Sequence, residues 1–219
     1  MPTVAITGAG SGLGRALALK YARNNYNVYL LGRTDSKLHI VQKEILNNNG
    51  TAEVILCDIR QEASVDIAFQ QMGKLDVLIN NAGIGIFGPV ENYKIHDIDS
   101  TIDTNIKGTI FTIQSALPLI KESKGRILTI ISTAGLRGKV DESIYCASKF
   151  AIRGLTESLQ QEWENEPISI TAVYMGGMNT PFWDNTAHVT DPTHLKGPEV
   201  VAEQIYNEDD RRKEIIIDR

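Results

Sequence analysis

Close to its amino terminus the chain passes from a strand-like run directly into a glycine-rich turn and then into a helical segment. The run 3–7 is rich in β-forming residues, and Gly8, Gly12 and Gly14 follow it in the spacing G-x-x-x-G-x-G. Glycines let a turn approach a pyrophosphate closely, and the start of a helix offers N–H donors and a positive dipole end. A purely structural turn is the alternative, but the position between a first strand and a first helix favours a dinucleotide site. The cofactor contacts predicted in this turn are Gly8, Gly10, Ser11, Gly12, Leu13 and Gly14.

Short apolar runs alternate with amphipathic stretches along all 219 residues. This alternation is typical of stacked βαβ units. It predicts an α/β fold with a single domain over residues 1–219: a Rossmann-like, doubly wound parallel sheet of seven strands with helices on both faces. The predicted strands lie near residues 3–7, 27–32, 52–57, 76–80, 126–131, 168–174 and 214–218. The predicted helices lie near residues 12–24, 36–48, 61–71, 99–121, 145–165 and 198–206.

Charge and composition exclude several classes of protein. A net charge of −5 argues against a nucleic-acid partner. The apolar runs are too short to span a bilayer, and the first residues do not resemble a secretory signal, so we expect a cytoplasmic protein that does not bind membranes. Cys57 and Cys146 are far apart and the four histidines lack ligand spacing, so no metal site is expected.

The end of the second predicted strand indicates which cofactor is bound. NAD-binding versions of this fold place an acidic residue there to hold the ribose hydroxyls. Here the chain reads Gly32-Arg33-Thr34, and an arginine grips a 2′-phosphate in two places where a carboxylate would repel it. Arg33 and Thr34 therefore predict NADP(H), with NAD(H) as the alternative if Asp35 reaches the ribose instead.

Tyr145 and Lys149 are four residues apart, so their side chains share one face of the predicted helix. An ammonium group beside a phenol favours the phenolate, which predicts a lowered pKa for Tyr145. A phenol tuned in this way can exchange a proton with a carbonyl or alcohol oxygen. By itself the spacing is common on exposed helix faces, so the interpretation depends on the motifs around it.

Several motifs, in order, resemble the short-chain dehydrogenase/reductase family over almost the whole chain. The glycine turn is similar to the family's cofactor turn, and Cys57-Asp58-Ile59 resembles its adenine-contacting element. Asn80-Asn81-Ala82-Gly83 matches the family's N-N-A-G segment, and Asp103-Thr104-Asn105 resembles the helix that carries its catalytic asparagine. Ser132-Thr133-Ala134-Gly135 resembles its serine motif, thirteen residues before Tyr145.

The resemblance implies a role for each matching residue. Tyr145 is expected to be the acid and base, and Ser132 to polarise the substrate carbonyl as a preorganised donor. Lys149 is expected to hold the nicotinamide ribose, and Asn105 to retain a water that links Lys149 to solvent. Further cofactor contacts are expected from Asp58, Ile59, Asn81, Ala82 and Gly83, and after the sixth strand from Met175, Gly176, Met178 and Thr180.

The segment after the sixth strand departs from the family pattern. Met175-Gly176 stands where relatives usually carry Pro-Gly, so the rigidity of the proline is missing. Residues 182–197 are a candidate substrate lid, and Met175, Phe182 and Trp183 a candidate apolar wall. The short end at Asp218-Arg219 suggests an open pocket or help from a neighbouring subunit. The resemblance also implies a homodimer or homotetramer through helices 99–121 and 145–165.

These observations predict an NADP(H)-dependent oxidoreductase that interconverts a small-molecule carbonyl and its alcohol by hydride transfer. One alternative is an inactive cofactor-binding regulator or scaffold. Another is an epimerase or dehydratase that retains its cofactor. A hydrolase is excluded, because the G-x-S-x-G and S-x-x-K motifs are missing. The sequence does not select among ketones, aldehydes, sugars, steroids, pterins and acyl thioesters.

Overall fold

In the computed structural model, which describes residues 1–184, 186 and 188–217, strands and helices alternate along the chain. The strands are β1 (Thr3–Thr7), β2 (Asn27–Gly32), β3 (Thr51–Leu56), β4 (Val77–Asn80), β5 (Arg126–Ile130), β6 (Ser169–Met175) and β7 (Glu214–Ile217). The helices are α1 (Gly12–Arg23), α2 (Asp35–Asn47), α3 (Glu62–Gln70), α4 (Ile95–Ile102), α5 (Gly108–Ser123), α6 (Ser143–Glu162) and α7 (Pro198–Glu208). A π-helical turn, Asp103–Lys107, joins α4 to α5.

The strands form one sheet in the order β3-β2-β1-β4-β5-β6-β7, and every pairing is parallel. Strand order reverses direction between β1 and β4, because the chain first builds outward to β3 and then returns to the other side of β1. In such sheets ligands bind at the carboxyl ends of the strands beside this reversal. The predicted seven-stranded, doubly wound parallel fold is therefore confirmed.

Alternate side chains of the central strands pack into two separate cores, one on each face of the sheet. Val4 and Ile6 pack on the face covered by α1, α2 and α7, whereas Ala5 between them packs on the face covered by α3 and α5. This is the period of two expected of a strand. Because both faces are covered, β1 is buried along its whole length, as strands of a parallel sheet are.

The structure corrects the predicted bounds of several elements. Helix 99–121 begins earlier, at Ile95, and contains the π-helical turn, in which one extra residue is accommodated without interrupting the helix. Other element boundaries move by one to three residues. The predicted last residue of β7, Asp218, lies outside the described residues, as does Arg219. Within the described ranges, no helix combines the length and apolar character needed to cross a bilayer.

Candidate active site

The turn after β1 has the geometry that its glycines predict. Gly8 and Gly12 adopt φ values of +67° and +52°, a region that side chains disfavour. A Cβ atom on Gly14 would lie 2.2 Å from the carbonyl oxygen of Gly8. Gly14 thus lets α1 press against the end of β1, and the turn exposes its backbone at the start of the helix.

The loop after β4 is fastened to this turn. The Asn81 and Ala82 amides both donate to Thr7 Oγ1 over 3.0 Å, and Asn81 Nδ2 donates to the Thr7 carbonyl over 2.9 Å. The Asn81 side chain is thereby engaged within the protein. Thr7, the last residue of β1 and the first of the glycine-turn motif, therefore joins the end of β1 to the loop after β4.

Positively charged side chains lie near the end of β2. Arg33 is exposed there, and Lys37 on the first turn of α2 also faces the cavity. Asp58 lies opposite and makes a two-point ion pair with Arg60, at 2.9 Å from Nε and 2.5 Å from Nη2. Hydrogen bonding from Arg60 lowers the pKa of Asp58, and its burial only partly opposes this. Asp35 points elsewhere, with a carboxylate oxygen 3.3 Å from His39 Nε2.

Helix α6 carries Tyr145 and Lys149 into the interior, where both side chains are buried. The Lys149 ammonium donates to the carbonyl oxygen of Ile130 over 3.0 Å and lies 5.7 Å from the centre of the Tyr145 ring. Ser132 follows β5 with a φ of +92°, and its Oγ accepts a hydrogen bond from the Ala134 amide.

Burial dominates the protonation of both groups. It raises the pKa of Tyr145 well above its ordinary value, with the Ser132 hydrogen bond acting in the opposite direction. It lowers the pKa of Lys149 from 10.5 to about 8. The expectation that Lys149 depresses the pKa of Tyr145 was wrong for this structure, because removing both groups from water favours their neutral forms more strongly.

Asn105 sits in the π-helical turn between α4 and α5. Its Oδ1 accepts from the Ile84 amide, and its Nδ2 donates to the Ile84 carbonyl and to Ser148 Oγ, over 2.9, 2.9 and 3.0 Å. A Cβ atom on Gly83 would lie 3.3 Å from Asn105 Oδ1 and 3.7 Å from Lys149 Nζ. Asn105 thus ties the loop after β4 to α6 beside the lysine.

The loop after β6 folds back over the glycine turn despite the missing proline. Thr180 lies close to Gly12: a Cβ atom added to Gly12 would lie 3.3 Å from the Cβ atom of Thr180. Met178 forms an isolated parallel β-bridge with Lys196, and the Met178 carbonyl accepts a hydrogen bond from Trp183 Nε1 over 2.8 Å. Of the candidate lid, residues 185 and 187 lie outside the described residues.

One cavity of about 500 Å³ joins these features at the carboxyl edge of the sheet. Among the predicted site residues, those that line it are Gly8, Gly10, Ser11, Gly12, Leu13, Arg33, Thr34, Asp58, Ile59, Asn81, Ala82, Gly83, Ser132, Tyr145, Lys149, Met175, Gly176, Met178 and Thr180. Gly14 and Asn105 lie behind the lining. Four charged residues that the sequence did not reveal also line the cavity: Lys37, Arg60, Lys139 and Glu142. In the sequence nothing distinguishes them from ordinary charged surface residues.

Comparison with known proteins agrees with this architecture. The sequence profile described as short chain dehydrogenase matches residues 2–190. An uncharacterized oxidoreductase of Staphylococcus aureus strain USA300 is 33% identical over 205 residues, which cover 91% of this chain and 87% of that protein.

Solved structures superpose closely. An alcohol dehydrogenase of the archaeon Thermococcus sibiricus, complexed with 5-hydroxy-NADP, has a TM-score of 0.90 at 25% identity, covering 99% of this chain and 96% of that one. A short-chain dehydrogenase/reductase of Burkholderia phymatum, in complex with NAD, has a TM-score of 0.88 at 23% identity, covering 98% and 88%; at this identity it shows the shared fold alone. With the profile match and the S. aureus relative, these findings show that the chain belongs to the short-chain dehydrogenase family of oxidoreductases.

Proposed function

We propose that this protein is an NADP(H)-dependent oxidoreductase that interconverts a small-molecule carbonyl and its alcohol. The observation that carries the proposal is the shared cavity: Ser132, Tyr145 and Lys149 line the same space as the glycine turn and Arg33. A proton donor, a second hydroxyl and a dinucleotide cradle thus open into one site. A glycine turn, a buried tyrosine or a buried lysine could each be merely structural. Their presence around one cavity supports a role in a single reaction.

The turn after β1 fits a dinucleotide. The positive φ values of Gly8 and Gly12 expose backbone N–H groups at the start of α1, which suits a pyrophosphate. Asp58 and Ile59 would border the adenine, and Lys149, Met178 and Thr180 the nicotinamide end. When bound, the nicotinamide supplies or accepts the hydride.

The choice of NADP(H) rests on the charges at the end of β2. Arg33, Lys37 and Arg60 line that part of the cavity, while the nearest acid, Asp58, is engaged by Arg60. Asp35, the residue that would favour NAD(H), contacts His39 instead. Titrating the protein with NADPH and NADH tests this choice: we expect NADPH to bind at least 10-fold more tightly, and tighter NADH binding would assign NAD(H).

Tyr145 is the group proposed to move the proton. The phenol is protonated at neutral pH and would donate its proton to a carbonyl oxygen during reduction; in oxidation it would take the proton back. Burial raises the pKa of Tyr145 and so makes the phenol a weaker acid, an effect that the Ser132 hydrogen bond opposes. Ser132 would donate to the same oxygen as charge develops on it. Lys149, with its pKa near 8, can carry or release a proton near neutral pH. Asn105 fixes the backbone beside that lysine.

Tyr145→Phe is the decisive variant. It should abolish the reduction of carbonyl compounds by NADPH while leaving NADPH affinity within about threefold of wild type, because the phenol hydroxyl moves the proton and the ring still packs. Retained turnover would refute the proton role. NADPH binding by wild type without oxidation by any carbonyl compound would favour the regulator. Conversion of an added substrate without net change in NADPH would favour the epimerase or dehydratase.

We also propose that the chain acts as one domain over 1–219 and assembles as a homodimer or homotetramer through α5 and α6. A contact through α6 would cover Phe150, of which 43% is exposed. Light scattering on the purified protein tests it, and a monomer would contradict it. A cytoplasmic location stays a prediction.

A further inference from the structure

Aromatic rings gather beside Tyr145. Phe87 lies edge-on to the Tyr145 ring with centroids 5.5 Å apart, and Phe182 lies 5.9 Å from it. Trp183 stacks on Phe87 at 5.5 Å and meets Phe182 edge-on at 5.0 Å. His188 also stacks on Phe87, with ring centroids 4.6 Å apart. We call Phe87, Phe182, Trp183 and His188 the aromatic wall.

Two residues of the aromatic wall line the cavity, and the other two pack against them. Phe182 and Trp183 line the cavity together with Tyr145, and Phe87 packs behind them. Gly85 permits this arrangement, because a Cβ atom there would lie 2.4 Å from Phe87 Cζ and 2.6 Å from Phe182 Cζ. Planar rings of this kind gain most from a partner that is itself flat and apolar.

A buried carboxylate holds the wall in place. Glu142 precedes α6, three residues before Tyr145, and only 8% of its side chain is exposed. Its Oε1 lies 2.9 Å from His188 Nε2, and its Oε2 lies 3.7 Å from Lys139 Nζ. The positive end of the α6 dipole also favours a negative charge at this position. The proton chemistry proposed above does not use Glu142, so its burial needs another reason.

We propose that the substrate is a carbonyl compound with a planar apolar group, such as an aryl ketone or aldehyde, and that this group lies against Phe182 and Trp183. Glu142 is a positioning residue: through His188 it ties the segment after β6 to the start of α6 and so keeps the wall beside Tyr145. The inference rests on the proposed function, and it narrows the substrate from any carbonyl to this class.

Reduction of acetophenone, acetone and pyruvate by NADPH tests the substrate class. The buried phenyl ring should give acetophenone a kcat/KM about 30-fold or more above that of acetone. Phe182→Ala should reduce this preference roughly 10-fold, mainly through a higher KM for acetophenone. Equal rates for acetophenone and acetone, or a preference for pyruvate, would overturn the inference.

Tryptophan fluorescence separates failure of this inference from failure of the proposed function. The chain has two tryptophans, Trp163 and Trp183. Acetophenone should quench the wild type and Trp163→Phe saturably, and Trp183→Phe should lose the saturable phase. Saturable quenching without turnover would keep the aryl site and refute the reaction; quenching that never saturates would refute the aryl site.

Paired variants test the role of Glu142. Glu142→Ala deletes the acceptor for His188, whereas Glu142→Gln keeps an oxygen at the same place. We expect the alanine variant to lower the preference for acetophenone over acetone about 10-fold through KM, and the glutamine variant to restore most of it. His188→Ala should match Glu142→Ala, and the exposed Glu164→Ala should match wild type. An unchanged preference in both Glu142→Ala and His188→Ala would remove the positioning role.

Discussion

Replacing Gly14 with alanine tests how closely α1 must approach the end of β1. The added Cβ atom would lie 2.2 Å from the Gly8 carbonyl oxygen and 2.6 Å from Asn81 Nδ2, whereas real Cβ contacts stay above 3.0 Å. Because the first of these neighbours is backbone, no side-chain rotation relieves the contact, and the helix must move. Alanine gains roughly 1 kcal/mol over glycine inside a helix, but overpacking of this kind costs about 1–3 kcal/mol or more.

The backbone neighbour cannot yield, so we take about 3 kcal/mol for the overpacking and subtract the roughly 1 kcal/mol that alanine gains in a helix, which gives a loss of about 2 kcal/mol of unfolding free energy for Gly14→Ala. Urea unfolding followed by tryptophan fluorescence measures the loss. NADPH affinity should fall as well, since a shifted helix displaces the turn that would hold the pyrophosphate.

Gly154→Ala is the matched control. Gly154 is an exposed residue of α6, and no atom lies within 4 Å of an added Cβ. The substitution should stabilise the protein by about 0.5–1 kcal/mol. If Gly14→Ala proved as stable as Gly154→Ala, the close approach of α1 to β1 would be refuted.

Four further substitutions test charge and strain. Folding lowers the pKa of Lys149 from 10.5 to about 8, so between these pH values the unfolded chain binds a proton there that the folded chain does not. Wild type should therefore gain up to about 3 kcal/mol of unfolding free energy over Lys149→Met as the pH rises through this window. Urea midpoints that stay parallel for the two proteins would contradict this. Arg33→Ala should weaken NADPH binding about 10- to 100-fold and NADH binding far less, and equal losses in two titrations would count against the phosphate contact. Asp209→Ala leaves the largely buried guanidinium of Arg126 without its carboxylate partner and should cost about 3–5 kcal/mol in urea unfolding, whereas the exposed Asp210→Ala should lower stability far less; similar costs would refute it. Ser132→Gly should be about 1 kcal/mol more stable than Ser132→Ala, since glycine accepts the φ of +92°; equal stability would show that the backbone is not strained.

The fold was predictable because its signal is periodic and local. Short, β-branched apolar runs such as 127–131 are typical of strands covered on both faces, and helical stretches between them indicate parallel crossovers. The π-helical turn was not predictable, since residues 103–107 keep a helical pattern while the hydrogen bonding shifts by one residue. Boundaries such as the start of α4 at Ile95 depend on tertiary packing that a local pattern does not contain.

The site likewise contains residues that the sequence revealed and residues that it did not. Glycines and the Tyr145–Lys149 pair were recognisable because their spacing carries a physical requirement. Glu142 and His188 were not, because they are 46 residues apart and meet only after α6 and the loop beyond β6 have docked. The sign of the Tyr145 pKa shift was missed for a related reason: spacing on a helix predicts a neighbour, whereas the extent of burial is a property of the whole fold.

Three uncommon features of the chain lie close together around Tyr145. Ser132 has a φ of +92° with ψ at 156°, unlike the left-handed turn residues such as Asn25 and Lys124, whose φ values are 62° and 53°. Asn105 stands in the π-helical turn, and Lys149 is a buried cation whose ammonium donates to a neutral carbonyl. Each of these features costs the folded state free energy. Unrelated packing faults would be scattered through the fold, whereas these three lie on or directly behind one cavity wall around Tyr145. Their common location is what the reaction proposed for this site would require.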